Sequence, residues 1–302
     1  MTMKFKMKRI IILGSTGYIG KYLLKRFSGD NAEVLGYSSS TCDLLSLEKA
    51  REVFSGFTKE DAVLMLSTTN RLDENTYGSM DKNIKMADNV SKLLQEYPIG
   101  LLVFFSTIDV YGVYLKVNEI INEKSLPNPN DYYSVSKLAS EYLLKMVCLK
   151  NNILLRILRL SGVYGPGDKA RSTISILLDS AREKKEIQIC GKGENLRDFV
   201  YIDDIYKIVN LSIKGSGAEL LNVATGKSYS IIQIAEILKD ALPYSFNIKF
   251  VANPGLNTEK RVKNLIFDTT LLKNSFSGLN LTDLREGITL YLSDLSELRK
   301  EI

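Results

Sequence analysis

The sequence predicts an α/β fold: a doubly wound parallel sheet followed by a smaller C-terminal α/β region. Three observations predict it. Short apolar runs alternate with amphipathic stretches through the first two-thirds of the chain. A glycine-rich turn follows the first apolar run directly and opens a helix. The apolar runs, of which Leu101–Phe105 is typical, fall far short of the ~18 residues a membrane-spanning helix needs.

The elements read off in order. Lys8–Leu13 is the first strand. The basic stretch Met1–Arg9 before it has the look of a signal sequence, but Gly14 breaks the apolar run Ile10–Leu13 too early for one. The protein is therefore expected to be cytoplasmic, with no membrane partner. Tyr18–Ser28 reads as a helix, Glu33–Tyr37 as a strand, Ser46–Phe54 as a helix and Ala62–Leu66 as a strand. Met80–Tyr97 is a long helix, Ile99–Phe105 a strand, Tyr133–Lys150 a helix and Ile153–Leu160 a strand. Strands separated by helices at this spacing give a parallel sheet covered on both faces. From Tyr164 the pattern turns irregular, with Gly and Pro at Gly165–Gly167. Helices Ser230–Leu242 and Thr282–Arg299 alternate with short strands in the last third.

Composition narrows the chemistry. The 302 residues are 45% hydrophobic and 25% charged, ordinary values for a globular chain. Cys42, Cys148 and Cys190 are scattered without a CxxC pair, which predicts buried free thiols. There is no histidine. That removes the commonest metal ligand and the commonest general base, and argues against a metal enzyme or a Ser-His-Asp hydrolase. The net charge of +5 suits a diphosphate-bearing substrate, but no basic cluster has the footprint of a nucleic-acid partner.

Gly14-Ser15-Thr16-Gly17-Tyr18-Ile19-Gly20 stands between the first strand and the first helix. Glycines let the backbone turn tightly and approach a pyrophosphate, and the third lets helix and strand pack closely. The helix N-terminus then offers its unpaired N–H groups to the anion. The arrangement is that of a Rossmann-type dinucleotide site, spaced GxxGxxG. The dinucleotide should be discriminated at the end of the second strand, where an acid would hold the ribose of NAD. Here the strand runs into Tyr37-Ser38-Ser39-Ser40-Thr41, with no acid until Asp43. Hydroxyls at Ser38 and Ser39 can donate to a 2′-phosphate. NADP(H) is the preferred expectation, with NAD(H) as the alternative.

Tyr133-Ser134-Val135-Ser136-Lys137 sets a tyrosine and a lysine one turn apart on a helix. An adjacent ammonium favours phenolate, so Tyr133 is expected to exchange a proton with a sugar hydroxyl or ketone. Pro129 stands four residues before Tyr133, and Glu141 four after Lys137.

With these residues the chain resembles the extended short-chain dehydrogenase/reductase family, the sugar-nucleotide epimerases, dehydratases and reductases. The resemblance runs over nearly the whole chain. Phe104-Phe105-Ser106-Thr107-Ile108-Asp109-Val110-Tyr111-Gly112 is similar to the family's SSxxVYG segment. Leu158–Gly167 is similar to LRxxNVYGPG, and Gly191–Asp204 to GxGxxxRDFVYVDD. Asn83 and Asn89 match the NvxgtxN helix, and Asp43-Leu44 the segment that touches adenine.

The resemblance implies a catalytic triad of Thr107, Tyr133 and Lys137. It implies cofactor contacts from Gly14, Thr16, Gly17, Tyr18, Ile19, Gly20, Ser38, Ser39, Asp43, Leu44, Leu66, Ser67, Thr68 and Asn83, together with Tyr133 and Lys137. It implies a sugar-nucleotide substrate held by Thr107, Asp109, Tyr133, Gly162, Arg197 and Arg261. A guanidinium suits this work because its planar fork of donors matches phosphate oxygens. Residues 1–168 would form the dinucleotide-binding domain, its sheet completed by part of 199–225, and residues 169–302 mainly the substrate region. The family also implies a homodimer through the helices Met80–Tyr97 and Tyr133–Lys150, with Met80, Ile84, Ala87, Val90 and Leu94 as an apolar stripe that the chain's own core could equally absorb.

Departures from the family pattern exclude some reactions. Relatives that dehydrate across carbons 4 and 6 carry an Asp where this chain has Ile108, which cannot donate a proton. Relatives that epimerise at carbons 3 and 5 need a Cys there and a His elsewhere. Decarboxylation is not excluded in this way and stays a lesser alternative, since related decarboxylases have Glu where this chain has the shorter acid Asp109; the family's usual Asn is Gly162 here, which removes that substrate contact. Two reactions at sugar carbon 4 remain. One is NADPH-dependent reduction of a 4-keto sugar nucleotide, which the missing acid near Ser38 favours. The other is 4-epimerisation with tightly held NAD. A silent dinucleotide sensor would not need Tyr133 and Lys137 together.

Overall fold

The structure is a computed structural model that describes residues 7–30, 33–112, 119–169, 171–215, 217–252 and 264–297. Arg261 lies outside these residues, as does the end of the helix expected to reach Arg299.

The first half alternates as its periodicity predicts. In order come β1 (Arg9–Leu13), α1 (Tyr18–Gly29), β2 (Glu33–Tyr37), α2 (Leu47–Phe54), β3 (Asp61–Met65), α3 (Tyr77–Glu96) and β4 (Leu101–Thr107). Next are β5 (Ile120–Ile121), α4 (Tyr132–Lys150), β6 (Leu154–Leu160) and β7 (Gly162–Tyr164). Then follow α5 (Thr173–Asp179), β8 (Glu186–Cys190), β9 (Leu196–Tyr201), α6 (Ile202–Ile213) and β10 (Leu220–Val223). The chain continues with β11 (Ser228–Ser230), α7 (Ile231–Ala241), β12 (Asn247–Val251), β13 (Ile266–Phe267), α8 (Thr270–Ser275) and α9 (Leu284–Glu297).

Among the described residues, six strands form the main sheet in the order β10-β6-β4-β3-β1-β2. Every pairing in it is parallel. Successive strand side chains point to opposite faces, so β1 feeds two cores. Ile11 and Leu13 pack with Phe54 of α2, Ala87 and Val90 of α3 and Leu144 of α4. Ile10 and Ile12 pack with Leu23 and Phe27 of α1 and Ile205, Ile208 and Val209 of α6. Strand order reverses beside β1, between β2 and β3, and a crevice opens at the carboxyl ends of strands at such a point.

Small shifts of boundary bear on the site. β4 continues two residues past Phe105 because Ser106 and Thr107 still pair with Arg159 and Leu160. Thr107 thus ends a buried strand at the sheet's edge. α3 starts at Tyr77 rather than Met80, because Thr76 and Ser79 close a reciprocal cap. Asp131 and Ser134 do the same for α4, so Tyr133 lies in its first turn.

The C-terminal third has its own core, with Tyr164, Ile174, Ile187, Phe199, Ile234, Leu238, Leu284 and Ile288. Short strands frame it in the orders β11-β9-β7 and β12-β8. The three thiols are free, but Cys190 is exposed where burial was expected, since it ends the outward-facing row of β8. Ala87, Val90 and Leu94 of the α3 stripe belong to the chain's own core. On α4, Tyr142, Met146 and Leu149 are left in solvent, 60%, 60% and 79% exposed. Among the described residues no helix is long and apolar enough to cross a membrane.

Candidate active site

The glycine turn is shaped by close backbone contacts. Gly14 has φ +94°, and a Cβ there would lie 2.8 Å from Ser67 N on the neighbouring loop. A Cβ on Gly20 would lie 2.2 Å from Gly14 O. Helix α1 therefore sits against the end of β1 as only glycine allows. Gly17 caps α1, and the first intrahelical bond runs from Lys21 N to Gly17 O at 2.9 Å. The amides of Tyr18, Ile19 and Gly20 are left without an intrahelical acceptor, as in any first turn. This cradle of glycines and aligned N–H groups fits a pyrophosphate. Thr16 is exposed on the turn. Tyr18 turns its ring toward Gly167, leaving its amide as the group that faces the crevice end of the helix.

Beyond β2 the hydroxyls satisfy one another. Ser38 Oγ and Ser40 Oγ are 2.7 Å apart, and Ser38 N donates to Thr41 Oγ1 at 2.9 Å. Ser39 is exposed and takes no part in these bonds. The run that favours a 2′-phosphate is thus largely engaged in closing its own turn. Asp43 accepts Leu45 N, while Leu44 is buried in the core and its carbonyl accepts Asn89 Nδ2 at 2.8 Å. Asn89 thereby pins the segment next to the crevice.

After β3 come Leu66, Ser67 and Thr68, with Leu66 N bonded to Leu13 O. Asn83 holds this loop. Its Oδ1 accepts Thr69 N at 2.7 Å and Thr68 Oγ1 at 3.3 Å. Its Nδ2 donates to Thr69 O and Ser136 Oγ, both at 3.1 Å. An amide side chain has two donor hydrogens and two acceptor lone pairs, and all are used here. Asn83 therefore fixes the loop against α4.

The reacting groups gather at the carboxyl edge of β4. Thr107 Oγ1 donates to Asp109 Oδ2 at 3.0 Å and accepts Asp109 N at 3.2 Å. Ile108, between them, is buried with Val110, Tyr111, Ile121 and Phe267. Tyr133 N is held by Asn75 Oδ1 at 3.1 Å, and Ser136 Oγ donates to Tyr133 O at 2.7 Å. Lys137 is 3% exposed, with Nζ 4.6 Å from the centre of the Phe104 ring and 6.0 Å from that of Tyr133. Burial pushes Lys137 down to about 8, with Glu141 opposing. Burial pushes the Tyr133 phenol above its ordinary value, Asp109 adds to that, and Arg71 opposes it. In the protein alone, then, the charge that favours the phenolate is Arg71, and the lowering by Lys137 that the tyrosine–lysine spacing suggests is not among the causes of the shift.

Arg197, on β9, donates to Leu196 O at 2.8 Å and is close enough to feel Asp109 and Arg71. The fold thus brings Thr107, Asp109, Tyr133 and Arg197 together. Gly162 is explained by packing, since a Cβ there would lie 2.9 Å from the Phe199 ring. A side chain at this place on β7 would collide with β9. Two residues of the loop after β3 are illegible as site residues in the sequence. Arg71 pairs with Asp109 at 2.8 Å, and Asn75 caps the catalytic helix beside Tyr133. Neither sits in a local pattern. Behind the site, Glu141 accepts Arg159 at 2.6 and 3.0 Å and also Ser106 Oγ. Arg159 in turn donates to Tyr111 OH at 2.9 Å.

Residues 10–224 match the NAD dependent epimerase/dehydratase family. The chain belongs to that family. It is an NAD(P)-dependent enzyme of the extended short-chain dehydrogenase/reductase type. A dTDP-D-glucose 4,6-dehydratase of Dictyostelium discoideum is 26% identical over 269 residues, which cover 76% of this chain and 61% of that one. A UDP-glucuronate 4-epimerase of Thermodesulfobacterium geofontis is 32% identical over 167 residues, covering 55% of this chain and 51% of that one. The matched stretch is less than two thirds of the length of either relative. A solved UDP-glucose 4-epimerase of Thermotoga maritima has the same fold, with a TM-score of 0.85 at 21% identity over 96% of this chain and 99% of that one. At this chain's site stand apolar Ile108, Gly162 against the Phe199 ring, and the Arg71–Asp109 pair.

Proposed function

We propose that this enzyme is a sugar-nucleotide 4-epimerase that works with a retained NAD(H). The observation that carries the reading is the cluster of Thr107, Tyr133 and buried Lys137, with apolar Ile108 where a second acid would stand. Such a set can move one proton at one carbon and has no group for expelling a neighbouring hydroxyl. The choice of epimerase over 4-keto reductase rests on the Ser38–Thr41 turn, where the hydroxyls of Ser38, Ser40 and Thr41 bond one another, and on 4-epimerases among the similar proteins.

The cradle of Gly14, Gly17 and Gly20 and the amides of Tyr18, Ile19 and Gly20 would hold the pyrophosphate, with Asp43, Leu66, Ser67 and Thr68 nearby. The bound dinucleotide supplies the hydride acceptor, and on return the donor. Tyr133 takes the proton of the carbon-4 hydroxyl at its phenolic oxygen and later returns it. Thr107 Oγ1 holds the same substrate oxygen. Lys137 places positive charge beside the phenolate, and Arg197 meets the diphosphate.

The test is direct. Protein purified without added cofactor and then denatured should release NAD(H). The intact protein should interconvert carbon-4 epimers of a UDP- or dTDP-sugar, followed by NMR, without net change in dinucleotide absorbance. Release of NADP(H), or stoichiometric NADPH consumption with a 4-keto sugar nucleotide, would sink the reading in favour of the reductase.

The same reading includes a homodimer, with Tyr142, Met146 and Leu149 of α4 buried against a second copy. Met146→Glu with Leu149→Glu is expected to give monomer by light scattering where the parent chain gives dimer. A parent chain that is already monomeric removes this part of the proposal.

A further inference from the structure

A carboxylate beside Tyr133 is a problem that the proton chemistry above leaves unsolved. Asp109 approaches the phenol from the short helix after β4, and a negative charge there opposes phenolate formation. The same Asp109 Oδ2 accepts two donors, Thr107 Oγ1 at 3.0 Å and Arg71 Nη1 at 2.8 Å. Arg71 lies between β3 and α3, in a segment tied down around it. Asn83 holds Thr69, Asn75 holds Tyr133 N, and Asp73 pairs with Arg171 at 2.9 Å. A half-exposed arginine on an untethered loop would contribute little through solvent. These ties instead present the guanidinium at a set place.

We propose that Arg71 is a positioning residue that neutralises Asp109 beside Tyr133 and keeps it on the Thr107 hydroxyl, so that Tyr133 can ionise next to an oriented Thr107. The inference rests on the reading of Tyr133 as the proton-transfer group. The charged groups around Tyr133 come from four places. Asp109 and, on its own helix cap, Asp131 disfavour the phenolate, and Arg71 favours it. Lys137 stands one turn along α4, and Arg197 on β9 is close to both Asp109 and Arg71. Removing Arg71 leaves Asp109 uncompensated, so the phenol rises. Removing the charge of Asp109 lowers it.

The experiment follows two readouts on the full chain. One is the alkaline phenolate absorbance that Tyr133→Phe abolishes, and the other is the pH profile of kcat/KM for 4-epimerisation. Arg71→Gln is expected to move the Tyr133 titration and the acid limb of the profile upward by about 0.5–1 pH unit, a size consistent with a partly screened charge. Asp109→Asn should move both downward, and Arg71→Lys should restore the parent curves. Loss of rate at every pH with unmoved curves, or no rescue by Arg71→Lys, overturns the inference. Should Arg71→Gln alone fail to fold, the double variant Arg71→Gln/Asp109→Asn decides: its curves are expected above those of Asp109→Asn, and curves equal to those of Asp109→Asn overturn the inference. If the parent chain epimerises no sugar nucleotide while the phenolate titration moves as stated, the proposed function falls and the role of Arg71 stands.

Discussion

Tyr133→Phe is expected to lower kcat by about 10²–10⁴-fold, the usual worth of a positioned acid–base group. The substitution deletes one hydroxyl and little else. The bonds that seat residue 133 are made by its backbone, Asn75 Oδ1 to its N and Ser136 Oγ to its O. The cap of α4 by Asp131 and Ser134 is untouched. Dinucleotide content per chain and the thermal transition should therefore stay at parent values while turnover collapses. Steady-state kinetics with a dinucleotide assay on the same preparation checks this. A variant that retains more than a tenth of the parent rate would move the proton chemistry away from Tyr133.

The second large effect is expected in stability. Glu141 and Arg159 form an ion pair whose side chains are 5% and 4% exposed, joining α4 to β6 directly behind the reacting groups. Burying such a pair is not itself a large gain, because both charges lose water. Breaking it is costly. Arg159→Leu leaves Glu141 charged and buried, with Ser106 Oγ as its remaining donor among the described residues, and should destabilise by about 3–5 kcal/mol in urea unfolding. Replacing both with Leu should cost clearly less than that, since Glu141 is then not left charged and buried without Arg159. Equal losses in the single and double variants would contradict this account, and so would a loss below about 1 kcal/mol in Arg159→Leu.

The parts of the site that are legible in the sequence are those built from neighbouring residues. Helix and strand periodicities carry the order of the main sheet's elements, because burial on both faces leaves a local imprint. Gly14, Gly17 and Gly20 are legible because one turn must approach β3 and one helix must approach its own strand. Tyr133 and Lys137 are legible because four residues make one turn. Boundaries moved where caps decide them, as Thr76–Ser79 does for α3.

What the sequence by itself determined is the dinucleotide-type α/β scaffold, the candidate reacting side chains Thr107, Tyr133 and Lys137, and the absence of histidine. Only the tertiary structure decided how those groups are charged and held. The hydroxyls of Ser38–Thr41 look like phosphate donors until their mutual bonds are seen. Asn83 is a motif residue in the sequence, and only the fold shows its bonds to Thr68, Thr69 and Ser136. Gly162 looks like a lost substrate contact until Phe199 is found against it. Arg71 and Asp109 come from different loops, and only the parallel register of β3 and β4 brings their loops to one edge. Local spacing records what a helix or turn imposes on adjacent residues. Hydrogen bonds and Coulomb fields between distant segments depend on distances of a few ångströms, which exist only after the sheet has formed.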